Sequence, residues 1–176
     1  MTSKVDSLGA IRIIAPTTDA QWCYTEVLER ELKEWDLRES AALGFDADEI
    51  IEVFYPENLP DSRVHSVPPD GRMLVAMDGD QPVGCAAFRR LTPTSCEAYN
   101  VYVRPSHQGR GIASTLLQQL LGEARGMGYS TMCLETATFM LNAHKLYRSL
   151  SFQVRSPYRS LPDRMASVTL WMECTL

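Results

Sequence analysis

Val101-Tyr102-Val103-Arg104-Pro105-Ser106-His107-Gln108-Gly109-Arg110-Gly111-Ile112-Ala113 runs from an apolar strand, through a short polar loop, into the start of a strongly amphipathic helix. Glycines one residue apart stand at the entry to that helix. Glycine lets backbone N–H groups converge on one point and lets a ligand approach with no Cβ in the way. The helix start adds unpaired donors and about half a positive charge. The combination suits a phosphate or pyrophosphate. Two familiar phosphate turns fail on their own requirements. A nucleotide P-loop needs Gly-Lys-Ser/Thr, and Gly109-Arg110-Gly111-Ile112 has no lysine there. A dinucleotide turn follows its strand directly and has a third glycine where Ser114 stands, whereas Arg104–Gln108 intervene here. On this segment alone, a turn that only shapes a tight helix entry stays open.

Downstream, Ile112, Leu116, Leu117, Leu120, Leu121 and Ala124 make one stripe at helical spacing, ending near Gly126 and Gly128. Ser130–Leu134 reads as a strand, and Met140, Ala143, Tyr147 and Leu150 as one face of another helix. Phe152–Arg155 and Val168–Cys174 read as the last two strands. Upstream, Ala98–Val103 is a strand halted by Pro105, and Met73–Met77 and Val83–Phe88 pair through the turn Asp78-Gly79. The segment Pro56–Arg72, with Pro60, Pro68, Pro69 and Gly71, reads as a loop. Before it, Thr18–Gln21 has capping-box spacing and opens a helix with Ala20, Tyr24, Leu28, Leu32 and Trp35 on one face. Glu26/Arg30 and Glu29/Lys33 fall four apart on its outer faces. A second helix starts at Asp46, with Glu49 three residues on, and runs to about Tyr55; Ile11–Ala15 is the first strand. The order β-α-α-β-β-β-α-β-α-β-β, with no repeat and no dividing linker, predicts a single mixed α/β domain over residues 1–176.

A chain of 176 residues with 45% hydrophobic and 22% charged residues has room for a real core and is not a disordered sequence. A net charge of -5, with no basic run longer than Arg89-Arg90, argues against nucleic acid as a partner. No apolar run approaches the ~20 residues of a membrane span. Met1-Thr2-Ser3-Lys4 leads into no signal-peptide core, because Asp6 and Arg12 interrupt it. The cysteines Cys23, Cys85, Cys96, Cys133 and Cys174 include no CxxC pair, and His65, His107 and His144 lack ligand-like spacing. The expectation is a soluble cytoplasmic protein with mostly buried free thiols and neither metal, membrane nor nucleic acid.

Two ordered blocks narrow the reading. Gln108-Gly109-Arg110-Gly111-Ile112-Ala113 fits the pattern Gln/Arg-x-x-Gly-x-Gly/Ala after a strand ending Tyr102-Val103-Arg104-Pro105. Ala143-His144-Lys145-Leu146-Tyr147-Arg148-Ser149-Leu150-Ser151-Phe152 is similar to Ala-x-x-Leu-Tyr-x-x-x-Gly-Phe. On these residues the chain resembles the GCN5-related N-acetyltransferase (GNAT) family, most clearly over Leu74–Val154. The resemblance implies a mixed, mostly antiparallel α/β sheet, splayed between strands 4 and 5 and flanked by about four helices. It implies that Val101, Tyr102 and Val103 part from Ser130–Leu134 and offer backbone groups to the pantetheine arm of acetyl-CoA, as an added strand would. The amides of Gln108, Gly109, Arg110, Gly111, Ile112 and Ala113, with Ser114 beside them, then hold the pyrophosphate. The reaction implied is acetyl transfer from acetyl-CoA to a primary amine by direct attack in a ternary complex, without a metal. Tyr147 takes the general-acid position, against the alternative of a core aromatic. Glu97 takes the position of a base acting directly or through water, against that of a solvated strand-end carboxylate.

The chain departs from the family pattern in three places. Met140 stands where many relatives have Asn, with Asn142 two positions off. Ser151 replaces the glycine before Phe152, so the helix end lacks its easiest left-handed cap. Tyr99 and Asn100 occupy positions that are basic in a subset of relatives. The acceptor pocket implied lies in about Trp35–Arg72 and Arg155–Ala166, with His65, Tyr99, Tyr158 and Arg159 lining it and Arg159 available to an acceptor carboxylate. Asp46, Asp48, Glu49, Glu52, Glu57 and Asp61 make this region acidic, in keeping with a cationic amine but more simply a solvated helix face. His107 reads as a loop residue and His144 as solvent-facing. A small amine or amino-acid-like acceptor leads; a non-catalytic acetyl-CoA sensor and a protein or peptide N-acetyltransferase are the alternatives, and a homodimer through the terminal strands stays open.

Overall fold

The structure is a computed structural model that describes residues 11–56 and 61–176. Residues Met1–Lys4 and Asp6 at the start of the sequence, and Glu57 and Pro60 of the proline-rich segment, lie outside the described residues. The strands are β1 (Ile11–Ile14), β2 (Arg72–Asp78), β3 (Gln81–Arg90), β4 (Ser95–Val103), β5 (Thr131–Ala137), β6 (Gln153–Val154) and β7 (Thr169–Thr175). The helices are α1 (Asp19–Ala42), α2 (Ala47–Phe54), α3 (Ser62–His65), α4 (Ile112–Gly126), α5 (Leu141–Ser149) and α6 (Asp163–Ala166). The four longer helices are those read from periodicity. The one-turn helices α3 and α6 are additions, each hidden in a proline-containing stretch.

The strands form one sheet in the order β1-β2-β3-β4-β5-β7-β6. Every pair is antiparallel except β4 with β5, which is parallel because α4 crosses back between them. The expected mixed, mostly antiparallel sheet is therefore present. β2 explains why its sequence is a continuous apolar run. Leu74 and Ala76 pack into a core with Phe88 and Leu116, Leu117 and Leu120 of α4. Met73, Val75 and Met77 face the other way, onto Trp22 and Leu28 of α1. Burying each of those α4 leucines contributes roughly 1.5–3 kcal/mol. Both faces of the sheet are covered.

Local signals set several boundaries. The Thr18 hydroxyl accepts the Gln21 N–H at 3.3 Å, while the Gln21 carboxamide reaches back to the Thr17 N–H at 2.8 Å. Asp46 and Glu49 form the capping box of α2, Glu49 accepting the Asp46 N–H at 3.0 Å. Gly79 (φ 58°) makes the β2–β3 turn. Ser151 takes φ 69°, so a non-glycine residue carries the left-handed turn after α5. The expected outer-face pairs of α1 do not form. Glu26 instead meets Arg63 of α3 at 2.5 Å, and Glu29 turns inward to accept bonds from Ser62 (2.7 Å) and Asn100 (2.8 Å). A helix that packs against a loop on one side and a sheet on another has little free outer face there.

Candidate active site

The parallel pairing of β4 with β5 covers Ser95↔Thr131 to Ala98↔Leu134 and then stops, although both strands continue. The sheet forks at that point. Val101, Tyr102 and Val103 lie beyond the last pair; Ser130–Leu134, the neighbour they were expected to part from, is largely zipped to the start of β4, and the splayed arm of β5 is Glu135–Ala137, held from behind by β7. A β-bulge helps to turn β4 away. Opposite β3, Ala87 pairs with Tyr99 and Cys85 with Tyr102, so β4 carries one extra residue, and Asn100 sits at φ 51°. The Cys85 thiol donates to the Asn100 carbonyl (3.3 Å), satisfying a group that the bulge takes out of the ladder.

Backbone directions beyond the bulge follow from one bond. The Arg104 N–H donates to the Val83 carbonyl (2.9 Å), so by strand alternation the backbone groups of Val103 and Val101 point away from β3, into the fork. The Gln108 carboxamide caps the Val103 carbonyl (3.0 Å), leaving the Val103 N–H and both Val101 groups on the open edge. Tyr102 points its backbone to β3. Arg104 anchors this end of β4 to α1 through a two-bond pair with Glu31 (2.9 and 2.7 Å).

The open edge leads into the glycine turn. Gly109 (φ 75°) and Gly111 (φ 80°) both hold the left-handed conformation, and a Cβ on either would enter open space rather than protein. Gly111 caps α4 with no side-chain bond, and the first N–H to close onto a preceding carbonyl is that of Thr115, onto Gly111 (3.0 Å). The amides of the first turn, Ile112, Ala113 and Ser114, are thus left as open donors. Arg110 and His107 both reach Asp78 (3.3 and 3.2 Å), which fixes the loop's outer side. His107, read from the sequence as a loop residue, closes the 3-10 turn Pro105–His107.

Tyr147 lies in the last turn of α5 and is 6% exposed, its ring 5.8 Å from that of Phe152. Its hydroxyl has no hydrogen-bond partner among the described residues, and burial alone pushes the phenol up to about 12. It lines the cleft at the fork, so it is both buried among apolar groups and within reach of a ligand. His144 corrects the sequence reading. It is 5% exposed and its Nε2 meets the Ala137 carbonyl at 2.9 Å, joining α5 to the splayed arm of β5. Met140, His144 and Tyr147 share one helix face, a spacing that was readable.

The cleft encloses about 790 Å³ between α1, α3, β4, β5 and the segment after β6. His65, Glu97, Tyr99, Tyr158 and Arg159 all line it. Glu97 is 7% exposed and fully engaged: Oε2 accepts from Arg89 (Nε 2.9 Å, Nη2 2.8 Å) and Oε1 from the Tyr158 hydroxyl (2.7 Å). Burial first, and then the Glu97 charge, hold Tyr158 protonated far above the ordinary phenol value. Arg159 is not free for an acceptor carboxylate; it forms a two-bond pair with Glu135 (2.6 and 2.7 Å), which also accepts from the Trp171 indole (3.2 Å). Glu97 and Glu135 flank the fork on β4 and β5, and one segment reaches both. Sequence reasoning missed Arg89 and Glu135. Arg89 was within reach, since it lies directly opposite Glu97 across the β3–β4 hairpin, where opposite charges pair. Of the acidic run, Asp61 lines the cleft, whereas Asp46 and Glu49 cap α2 and Glu49 also pairs with Arg164 (2.8 Å).

A family model described as acetyltransferase (GNAT) family matches residues 23–152. An uncharacterized N-acetyltransferase of Schizosaccharomyces pombe is 36% identical over 97 residues, 54% of this chain and 60% of that one. The curated relatives matched first are thus covered over less than two thirds of their own length. Among solved structures, an acetyltransferase from Streptococcus agalactiae superposes with a TM-score of 0.70 at 15% identity, covering 96% of this chain and 99% of the other. A GNAT family acetyltransferase from Elizabethkingia anophelis, solved with acetyl-CoA bound, gives 0.60 at 14% identity over 96% of this chain and 99% of its own. These structural likenesses establish the fold.

Proposed function

We propose, for a chain that belongs to the acetyltransferase (GNAT) family, transfer of the acetyl group of acetyl-CoA to a primary amine of a small or amino-acid-like molecule in a ternary complex. The observation that carries the reading is the continuity of the open edge at Val101 and Val103, the unpaired amides of the glycine turn, and the protonated phenol of Tyr147 at one fork. The residues present fit acetyl-CoA. The free backbone of Val101 and Val103 suits the amides of a pantetheine arm, with Tyr102 between them turned to β3. The Gln108 N–H, expected among the donors, is turned to the Pro105 carbonyl (3.4 Å) instead; the amides from Gly109 to Ser114 and the α4 start suit the pyrophosphate, and the space that a Cβ on Gly109 or Gly111 would fill is left open.

Acetyl-CoA supplies an activated thioester, and the chain's task is then placement and proton transfer. Holding amine and thioester together removes the entropy of a two-body encounter, the largest contribution expected here. The Tyr147 hydroxyl donates to the departing thiolate; burial keeps it protonated across the whole working range. Glu97 stands on the acceptor side of the fork. With Arg89 on one oxygen and Tyr158 on the other, its part is to hold those two groups and to favour a cationic acceptor nitrogen, rather than to act as a free base. A cleft of about 790 Å³ bridged by Tyr158 and Arg159 favours a small acceptor over an extended polypeptide. Buried free thiols at Cys85, Cys96, Cys133 and Cys174 favour a reducing compartment such as the cytoplasm.

The test follows free thiol release from acetyl-CoA against a panel of amines and amino acids. Turnover with one or more acceptors is expected, and Tyr147→Phe lowers kcat by about 10²–10³-fold with acetyl-CoA affinity unchanged. Tight acetyl-CoA binding with no turnover moves the protein to an acetyl-CoA sensor or to a macromolecular acceptor. Failure to bind acetyl-CoA at all overturns the reading.

A further inference from the structure

We propose that His65 takes the proton from the acceptor's ammonium group; the inference rests on the acetyltransferase reading above. His65 closes α3, a one-turn helix that periodicity does not reveal, and three contacts seat it at the fork. Gly71 lets the His65 and Phe88 carbonyls come so close that a Cβ there would meet them at 2.2 and 2.3 Å. The next residue, Ser66, is buried and its hydroxyl bonds that of Tyr99. Ser62, at the start of the same helix, donates to Glu29 of α1 (2.7 Å). The imidazole is thereby held 5.7 Å, centroid to centroid, from the ring of Tyr99, the first residue of β4 beyond the last β4–β5 pair. That is the acceptor side of the fork, in the same cleft as Tyr147.

Glu97 and Glu135, the carboxylates that flank the fork, are engaged on both oxygens, Glu97 by Arg89 and Tyr158 and Glu135 by Arg159 and Trp171. Further out, Asp36 accepts the Tyr55 hydroxyl on Oδ2, Glu29 accepts Ser62 and Asn100 on Oε1, and Asp61 accepts the Arg63 N–H. The His65 ring bonds no described residue. Its Nδ1 is enclosed without a partner, which leaves Nε2 to the cleft. The groups that bear on the ring are Arg89 on β3 and Asp61 at the cap of α3, with the Tyr99 ring of β4 beside it. Burial, and then the Arg89 charge, lower its pKa from 6.5, with Asp61 opposing, so the ring is neutral at pH 7 and competent to accept.

The step balances without a co-reactant. An ammonium N–H bond breaks and its proton passes to Nε2. The freed lone pair forms the C–N bond to the acetyl carbon as the C–S bond breaks. Tyr147 protonates the thiolate and recovers the second proton that nitrogen loses, so the net proton leaves through His65 to solvent. Because burial and Arg89 lower the ring's pKa from 6.5, activity falls as the ring protonates on the acid side of that value.

The experiment measures kcat/KM against pH for the wild type, His65→Gln and Glu29→Gln, using spermidine, L-lysine, tyramine and alanine amide as acceptors. In parallel, NMR follows the titration of the His65 ring proton in the wild type. The expected result is an acid limb with a midpoint below 6.5 that coincides with the NMR midpoint. His65→Gln removes the limb and lowers turnover by about 10²-fold near neutrality, a gap that narrows towards pH ~10, where the amine itself is uncharged. Glu29→Gln keeps the limb, and acetyl-CoA affinity is unchanged in both variants. A limb that survives His65→Gln, or that is lost in Glu29→Gln instead, overturns the assignment. If His65→Gln does not fold, a wild-type limb that departs from the NMR midpoint overturns it equally. A wild type that binds acetyl-CoA but turns over none of these amines removes the acetyltransferase reading itself, and the assignment with it.

Discussion

The donor half of the site, Val101 to Ser114, is one contiguous run whose open groups are backbone amides and carbonyls. The acceptor half gathers side chains from α1, α3, β3, β4, β5 and the segment after β6. Its central bond, Tyr158 to Glu97, joins residues 61 apart in sequence. The first kind of site depends on conformation: two left-handed glycines, a bulge and a helix start place the donors whatever the neighbouring side chains are. The second depends on identity, because each carboxylate is answered by a named partner. A shared donor with divergent acceptors would produce this contrast, a fixed backbone device on one side and replaceable side chains on the other.

The largest effect that would break the comparison is expected at Gly111. Gly111→Val puts a branched side chain on φ 80° and a Cβ into the space left for the ligand. Calorimetry should show acetyl-CoA affinity down by about 10²-fold, some ~2.7 kcal/mol, of which the left-handed backbone accounts for ~1–2. Unchanged affinity would mean that the amides of this turn do not hold the donor. Glu97→Gln probes the other half. It leaves Arg89 without its charge partner and lowers stability by about 1.5–2 kcal/mol in thermal or urea unfolding, Arg89 being partly solvated. Acetyl-CoA affinity should stay within about twofold, since the fork's backbone edge is untouched; a loss as large as that of Gly111→Val would erase the distinction between the halves.

Legibility in the sequence follows the same division. The glycine turn, the strand before it and the α4 stripe were readable because their signals are local: φ freedom, a 3.6-residue period and a halting proline. The hairpins and the Asp46–Glu49 cap were readable for the same reason. The bulge at Asn100 was not, although asparagine is among the few residues that tolerate φ 51°. The inward turn of Glu29 contradicts a valid local rule, because an i,i+4 partner on a helix loses to Ser62 and Asn100 once a loop and a sheet close over it. Arg159 likewise looked available and is held by Glu135, a pairing set by where the segment after β6 crosses the sheet. No local pattern encodes that crossing.

The smallest expected effect lies at the end of the helix that carries Tyr147. Ser151 sustains φ 69° at a position where glycine carries no Cβ penalty. Ser151→Gly should raise stability by about 0.5–1 kcal/mol, the relief of the left-handed strain less the extra entropy of glycine in the unfolded chain. Turnover should not change. A shift in kcat would mean that this turn sets the position of Tyr147 and so belongs to the reacting half of the molecule.

Amide hydrogen exchange with and without acetyl-CoA tests the central claim most directly, because it reads backbone donors one by one. New protection is expected at the Val101 and Val103 amides and over Gly109–Ser114, with little change at Glu97, at His65 or in the segment holding Tyr158 and Arg159. Protection centred on α1 and the Tyr158 segment, with the glycine turn still exchanging freely, would contradict a donor site built from the backbone of the fork.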